Sequence, residues 1–179
     1  RYPVLYLDMT DFVTKYGNDE QLVEHIKRDI CEELLELYKG VVMKPNDDLM
    51  DLLVSIVNQT GEKFVCLIDE WDALCREGQE KQMDEYVNLL RRLFKGSMSE
   101  YVFACSYMTG ILPIKRYNTQ SALNNFDEYT MLSPAQLAPY FGFTENEVEQ
   151  LCTEVGMDAY KMKRWYDGYE LGAEKAMYN

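Results

Sequence analysis

The chain lacks several of the motifs by which enzyme and metal sites are recognised. Its 179 residues include a single histidine, His25, and no CxxC pair, which argues against a zinc-type or histidine-rich metal site. There is no GxSxG motif for a nucleophilic serine. There is also no GxxxxGK(S/T) loop, whose backbone donors and lysine hold the phosphates of a nucleotide, so at most half of an ATP site is present.

Cysteine, positive charge and long apolar runs are also scarce. The five cysteines are scattered and odd in number, which favours reduced thiols in a cytoplasmic protein over a disulfide framework. The formal net charge is -13, and so acidic a chain repels phosphate backbones, so direct binding of nucleic acid is not expected. No apolar run approaches the ~20 residues that cross a bilayer, so no membrane segment is expected. The remaining composition is that of a soluble domain, or of a domain with a small appendage.

The most informative motif is an apolar run that ends in two adjacent acids. Phe64–Ile68 has the length of a strand and does not alternate, which predicts a central parallel strand buried on both faces. Asp69 and Glu70 follow at the carboxyl end, where open α/β sheets bind ligands. In a nucleotide-hydrolysing site of the Walker B type, Asp69 would hold Mg²⁺ and Glu70 would orient or deprotonate water. The same pattern also arises where a buried strand meets a solvated loop.

Further strands and helices are predicted on either side of this run. Tyr2–Asp8 reads as a strand that ends in an acid, and Tyr101–Ser106 reads as a third strand. Helical spacing of apolar residues and cap residues predict helices from Asn18 or Asp19 to about Tyr38, from Asn46 to Gly61, and from about Gln79 to Lys95. The buried face predicted for the first of these helices consists of Leu22, Val23, Ile26, Ile30, Leu34 and Leu37. Two helices between the first two strands form a crossover connection, which predicts parallel strands.

The chain after residue 133 is predicted to be helical. Ser133-Pro134 begins a short helix, Thr144 and Glu147 form a capping box for a helix to about Val155, and another helix runs from Asp158 to Tyr166. A weak boundary near residue 133 therefore separates an α/β part from an all-helical tail. A short strand at Tyr129–Leu132 is the remaining element predicted in this part of the chain.

Two further polar residues follow predicted strands. Thr109 stands where an ATPase places a polar sensor that contacts the γ-phosphate or its water, although a Thr-Gly turn explains it as well. Asp8 is explained by a solvated turn as well as by a ligand role. Trp71 is expected to serve packing, and the aromatics of Trp165–Tyr169 are expected to pack on the core at a helix end.

Taken together, several segments resemble the AAA-ATPase-like family of bacterial proteins, which often carry a PD-(D/E)XK nuclease-like domain at the C-terminus. The matching segments are Tyr2–Asp8, Val65–Asp72, Met108–Ile111, Leu123–Phe126, Trp165–Tyr169 and Tyr178-Asn179. The family usually has Tyr where Trp71 stands. The resemblance implies a P-loop NTPase fold, with an incomplete AAA-like core at 1–132 that lacks its first strand and phosphate loop, and a helical lid at 133–179.

The resemblance also implies functional roles. Asp69 would be the acid on the Mg²⁺ side, Glu70 would activate water, and Thr109 would be a sensor that contacts ATP. The missing phosphate loop fits an N-terminal truncation, and a nuclease-like domain would begin after Asn179. We therefore expect an ATPase with ATP and Mg²⁺ as cofactors that is inactive as this fragment alone and that drives or gates an attached domain when intact.

Two alternatives stay open from the sequence. One is a non-catalytic module that binds nucleotide or protein. The other is a metal-dependent nuclease that uses Asp8, Asp69 and Glu70, although the chain has no lysine after the acid pair and carries a net charge of -13.

Overall fold

The computed structural model describes residues 1–17, 19–77, 80–113, 123–166 and 168–178. The chain divides into two compact units, Arg1–Phe126 and Asp127–Asn179, so the division falls slightly before the boundary predicted near residue 133. Among the described residues, no helix combines the length and the apolar character that crossing a membrane requires.

The first unit contains a three-stranded parallel sheet. Its strands are β1 (Val4–Asp8), β2 (Phe64–Asp69) and β3 (Phe103–Met108), in the order β1-β2-β3. The predicted α/β class and the central position of β2 are therefore confirmed. Burial of β2 on both faces was predicted, but only Phe64, Cys66 and Ile68 are buried, and the alternate side chains are half-buried.

Six helices of the first unit are described. They are α1 (Met9–Tyr16), α2 (Leu22–Leu37), α3 (Leu49–Thr60), α4 (Ala73–Arg76), α5 (Glu80–Phe94) and α6 (Ser97–Val102). Helix α1 was not predicted, because its eight residues bury only Met9 and Val13 and give too short an apolar pattern. Helix α6 takes up residues that were assigned to the third strand, which therefore begins at Phe103.

The ends of α2 and α3 show which of the predicted cap residues begin and end these helices. Asp48, not Asn46, caps α3, because the Asp48 and Asp51 side chains each accept a backbone N–H from the other residue. Gly61 ends α3 as predicted, with a φ of 73° that suits glycine. Of the caps proposed for α2, Asn18 lies outside the described residues, and Asp19 lies two residues before the observed cap, Gln21.

One apolar face of α2 packs into the core of the first unit. The residues buried on this face are Leu22, Val23, Ile26, Ile30 and Leu34, all of them predicted. The stripe was expected to continue to Leu37, but that side chain is 68% exposed. The last turn of α2 therefore presents an apolar residue to solvent.

The second unit is not all helical, so that prediction is wrong. Its elements are a 3₁₀ helix (Ala135–Tyr140), β4 (Phe143–Thr144), α7 (Glu145–Val155), α8 (Ala159–Tyr166), β5 (Tyr169–Leu171) and β6 (Glu174–Tyr178). The strands form an antiparallel sheet in the order β4-β6-β5. They are too short for an alternating pattern to be recognised in the sequence.

In this unit the predicted helix α7 is confirmed, but the predicted strand at Tyr129–Leu132 is not. The capping box of Thr144 and Glu147 is present, and α7 ends at Val155 as expected. The predicted strand is reduced to an isolated bridge between Thr130 and Ser133.

Candidate functional site

The carboxyl ends of the three parallel strands bring the predicted polar residues to one edge of the sheet. Asp8 and Asp69 are register partners at the ends of β1 and β2. Thr109 directly follows β3, and its N–H donates to the Ile68 carbonyl at 2.9 Å, which extends the ladder by one residue. Asp8, Asp69 and Thr109 therefore lie side by side at the end of the sheet.

The carboxylate of Asp69 is held by donors from three segments. Oδ1 accepts hydrogen bonds from the Thr109 hydroxyl and, at 3.1 Å, from the Glu70 N–H. Oδ2 accepts a longer bond of 3.4 Å from the Tyr6 hydroxyl. Partial desolvation and then the charges of Asp69 and Asp8 raise the pKa of Tyr6, so its hydroxyl remains a donor at neutral pH. Oδ2 is therefore the less occupied oxygen, and a carboxylate oxygen beside a hydroxyl suits a hard cation such as Mg²⁺.

Asp8 has a structural partner of its own. Its Oδ1 accepts hydrogen bonds from the N–H groups of Thr10, at 2.9 Å, and Asp11, at 3.4 Å, and it thereby caps α1. This cap explains why an acid ends the first strand. It also turns the Asp8 carboxylate toward α1.

Glu70 has an unusual backbone conformation. Its φ is 52°, in the left-handed region that residues other than glycine rarely adopt. Such conformations cost about 1–3 kcal/mol and are concentrated at functional sites. The Glu70 side chain is 35% exposed, and its Oε2 pairs with the guanidinium of Arg76. This ion pair fixes the direction of the carboxylate beside Asp69.

Asp72 is a residue of this site whose role was missed in the sequence. Its side chain is fully buried and accepts hydrogen bonds from the N–H groups of Leu112, at 2.9 Å, and Ile111, at 3.3 Å. The Arg76 Nε lies 3.3 Å from its Oδ2. Asp72 therefore holds the segment that follows Thr109 against the end of β2. No sequence signal distinguishes it from an exposed acid at the start of a loop.

Trp71 and Gly110 bring the end of β2 and the segment after Thr109 into close contact. The Trp71 side chain is buried, as expected for a packing residue, and the backbone N–H of Trp71 donates to the Thr109 carbonyl at 2.9 Å. A Cβ at Gly110 would lie 2.5 Å from the Trp71 Cδ1 and 2.7 Å from the Asp72 Oδ1. Only glycine fits at position 110 without displacing either side chain.

The described residues do not support the nuclease alternative. They contain no group of three or more His, Cys, Asp or Glu side chains arranged to hold a metal ion. The three acids of that hypothesis are directed to different partners, because Asp8 caps α1 and Glu70 pairs with Arg76. A single carboxylate such as Asp69 is still sufficient for Mg²⁺ where a substrate's phosphates and water complete the coordination.

The aromatic segment of the second unit follows expectation only in part. Trp165 is 86% exposed and Tyr166 is 61% exposed, so neither packs on a core as predicted. Tyr169 does pack against a buried cluster, which consists of Ala138, Leu171 and Met177. Asp167, between them and Gly168, lies outside the described residues.

Comparison with known proteins identifies two similarities. The model of a family described as "Predicted AAA-ATPase" matches residues 1–119, which include Asp69, Glu70 and Thr109. A protein of Azotobacter chroococcum mcd 1, described as an uncharacterized protein in the vnfD 5′ region, is 28% identical over 126 residues. That match covers 66% of this chain and 23% of the relative, so the chain spans about a quarter of the relative's length.

Proposed function

The chain belongs to the predicted AAA-ATPase family, and from that premise we propose that the full-length protein binds ATP at the carboxyl edge of this parallel sheet and hydrolyses it with Mg²⁺. Membership in the family implies nucleotide binding in general. The observation that supports hydrolysis is the cluster at the end of β2 and β3, where the Thr109 hydroxyl contacts the Asp69 carboxylate and Glu70 is the next residue.

Asp69 is the proposed ligand on the Mg²⁺ side. Its Oδ1 is engaged by Thr109 and Glu70, while Oδ2 has only the 3.4 Å contact from Tyr6. When bound, Mg²⁺ would neutralise charge that develops on the phosphates. Asp69 would hold the ion through Oδ2, and Thr109 would keep the carboxylate in a fixed orientation.

Glu70 is the proposed residue that orients and deprotonates the attacking water. A carboxylate in this role needs an oxygen that can accept a proton from water. Arg76 pairs with Oε2 of Glu70, so Oε1 is the oxygen proposed to accept the proton. The ion pair would hold the carboxylate in a fixed orientation, which leaves Oε1 directed away from Arg76 and available to the water.

The test is Mg²⁺-dependent ATP turnover by the full-length protein and by a Glu70→Gln variant. General-base catalysis contributes about 10²- to 10⁴-fold, so turnover is expected to fall by at least about 100-fold while ATP binding survives. Glu77→Gln is the matched control, because Glu77 is an exposed acid seven residues after Glu70 that is not part of the cluster. Its turnover is expected to stay within about 2-fold of the parent, as is usual for surface changes.

The outcomes separate the proposal from its alternative. Equal turnover in the parent and in Glu70→Gln contradicts the assigned role. Binding of ATP without turnover in the parent would instead favour a non-catalytic nucleotide-binding or protein-interaction module.

We also propose that the nucleotide cycle drives or gates an attached domain, with a C-terminal nuclease-like domain as the first candidate. The relative from Azotobacter extends well beyond the matched region, which leaves room for such a domain in that protein. In a full-length protein with a nuclease-like domain, DNA cleavage that depends on ATP and is lost in Glu70→Gln would support this coupling. Cleavage that is indifferent to ATP would contradict it.

The compartment that we propose is the bacterial cytoplasm. All five cysteines are free thiols, although Cys105 is exposed and Cys31 and Cys75 are partly so. Accessible thiols persist in a reducing compartment, which is also where ATP is available.

A further inference from the structure

The outer edge of β1 is open in the part of the chain that the structure describes. Strand β1 pairs with β2 along one side only. Alternate residues of a parallel strand direct their N–H and C=O groups to opposite edges. The Pro3 carbonyl accepts from the Val65 N–H at 2.9 Å, so the ladder with β2 uses Pro3 and Leu5. The backbone groups of Val4 and Tyr6 therefore point away from β2 and are free to pair with another strand.

A groove with a volume of about 720 Å³ runs along this open edge. One wall is β1, and the other is the second half of α2, including Ile30, Leu34 and Leu37. Leu37 is 68% exposed at the rim of the groove. An open strand edge beside a helix is the arrangement in which extended peptides add a strand to a sheet.

The charged side chains that line the groove are mostly acidic. Glu32, Glu33 and Glu36 lie on α2 and are exposed. Lys15 also lines the groove, but its ammonium group pairs with Asp29 at 2.7 Å. Among the described residues, Glu33 and Glu36 have no partner in an ion pair, so they carry uncompensated negative charge along the groove.

We propose that this groove binds an extended, basic segment of a partner protein, which adds to the sheet as a strand beside β1. Side chains of an added strand alternate between the two faces of the sheet. Those on the α2 side would be Lys or Arg, with their aliphatic stems on Leu37 and their charges near Glu33 and Glu36. Those on the other side would be apolar, because Val4 and Tyr6 are each 58% exposed there.

Charge selects this occupant over a second copy of the chain. Two copies that paired through β1 would bring their acidic α2 helices together, and the whole chain carries a net charge of -13. Like charges placed together at an interface cost several kcal/mol, whereas a basic segment gains from the same acids.

The first probe is a fluorescent octapeptide that alternates lysine and valine, with a glutamate–valine octapeptide as its control. Fluorescence anisotropy with the full-length protein at low salt is expected to detect the lysine peptide and not the glutamate peptide. Added salt is expected to weaken binding because it screens exposed charges. Amide hydrogen exchange should slow at Val4 and Tyr6 when the peptide is bound, because an added strand hydrogen-bonds those N–H groups.

A pair of matched double variants tests the acids. Glu33→Gln with Glu36→Gln is expected to weaken binding of the lysine peptide about 5-fold, since two exposed ion pairs worth about 0.5 kcal/mol each are lost. Glu62→Gln with Glu100→Gln makes the same change of net charge at exposed acids outside the groove, and is expected to leave binding unchanged.

Three results would overturn the proposal. The first is equal binding of the two peptides, and the second is equal weakening by the two double variants. The third is a dimer in sedimentation analysis that protects the Val4 and Tyr6 amides without any peptide, which would assign the edge to a second copy. Failure of ATP turnover would not affect any of these readouts.

Discussion

Replacing Asp72 by asparagine removes one negative charge from the interior and leaves the shape of the side chain almost unchanged. Asp72 is fully buried and accepts the N–H groups of Ile111 and Leu112, while Arg76 lies 3.3 Å from Oδ2. Asparagine has one acceptor oxygen in place of two, and its amide group would face a donor. At least one N–H of the segment after Thr109 would then lose its partner.

The expected loss follows from these contacts. A hydrogen bond to a charged group contributes about 1.5–3 kcal/mol, and removing one partner of a buried ion pair costs about 3–5 kcal/mol. Arg76 keeps its second partner, Glu70, which reduces the penalty. We therefore expect Asp72→Asn to lower the free energy of unfolding by about 3 kcal/mol.

Urea unfolding of the parent, Asp72→Asn and Asp84→Asn provides the comparison. Asp84 is exposed on α5, so its variant is expected to stay within about 0.5 kcal/mol of the parent. Amide hydrogen exchange should accelerate at Ile111 and Leu112 in Asp72→Asn alone. The reasoning is refuted if the two variants unfold alike, or if Asp72→Asn is less stable while exchange at those two amides is unchanged.

Two further predictions concern stability away from the site. The Tyr86 hydroxyl is buried and has no hydrogen-bond partner among the described residues, so Tyr86→Phe should raise the free energy of unfolding by about 1 kcal/mol. A loss of stability in a thermal melt would contradict this. Partial burial opposes ionisation of Asp29, but hydrogen bonds from Lys15, Tyr16 and Arg28 lower its pKa to about 2. A depressed folded-state pKa stabilises the protein above pH ~4, and this contribution is lost as the pH falls toward 2. Asp29→Asn should therefore lower the free energy of unfolding by about 1–2 kcal/mol at pH 7. Urea unfolding at several pH values should show the stability difference between this variant and the parent shrinking from pH 4 to pH 2.5. A difference that stays constant over that range would contradict the low pKa of Asp29.

The sequence was sufficient to predict the elements that bring Asp69 and Thr109 together. The apolar run before Asp69 has no polar residue until its end, and this pattern is typical of the central strand that β2 forms. Thr109 follows the next strand, and parallel strands place their carboxyl ends at the same edge. Both inferences depend on local patterns and on the order of the elements along the chain, and a single sequence is enough to recognise these.

The partners of the neighbouring side chains could not be predicted in the same way. The Glu70–Arg76 pair depends on the path of the chain through α4, and the burial of Asp72 depends on a segment about 40 residues later in the sequence. The exposure of Leu37 has the same origin, because helical spacing predicts a stripe but not where the packed surface ends. Hydrogen bonds and burial between distant segments are fixed by the tertiary structure.

The backbone at Glu70 has a consequence for how the sequence tolerates change. Glycine adopts a φ of 52° without the steric cost that a glutamate pays, so selection for stability alone would favour glycine at this position. The positive φ at Glu70 therefore lowers the stability of the fold, and the same residue places a carboxylate at the end of the central strand. We therefore expect selection for stability alone to replace Glu70 early. A lineage of variants that keeps Glu70 would indicate that selection for activity is also acting.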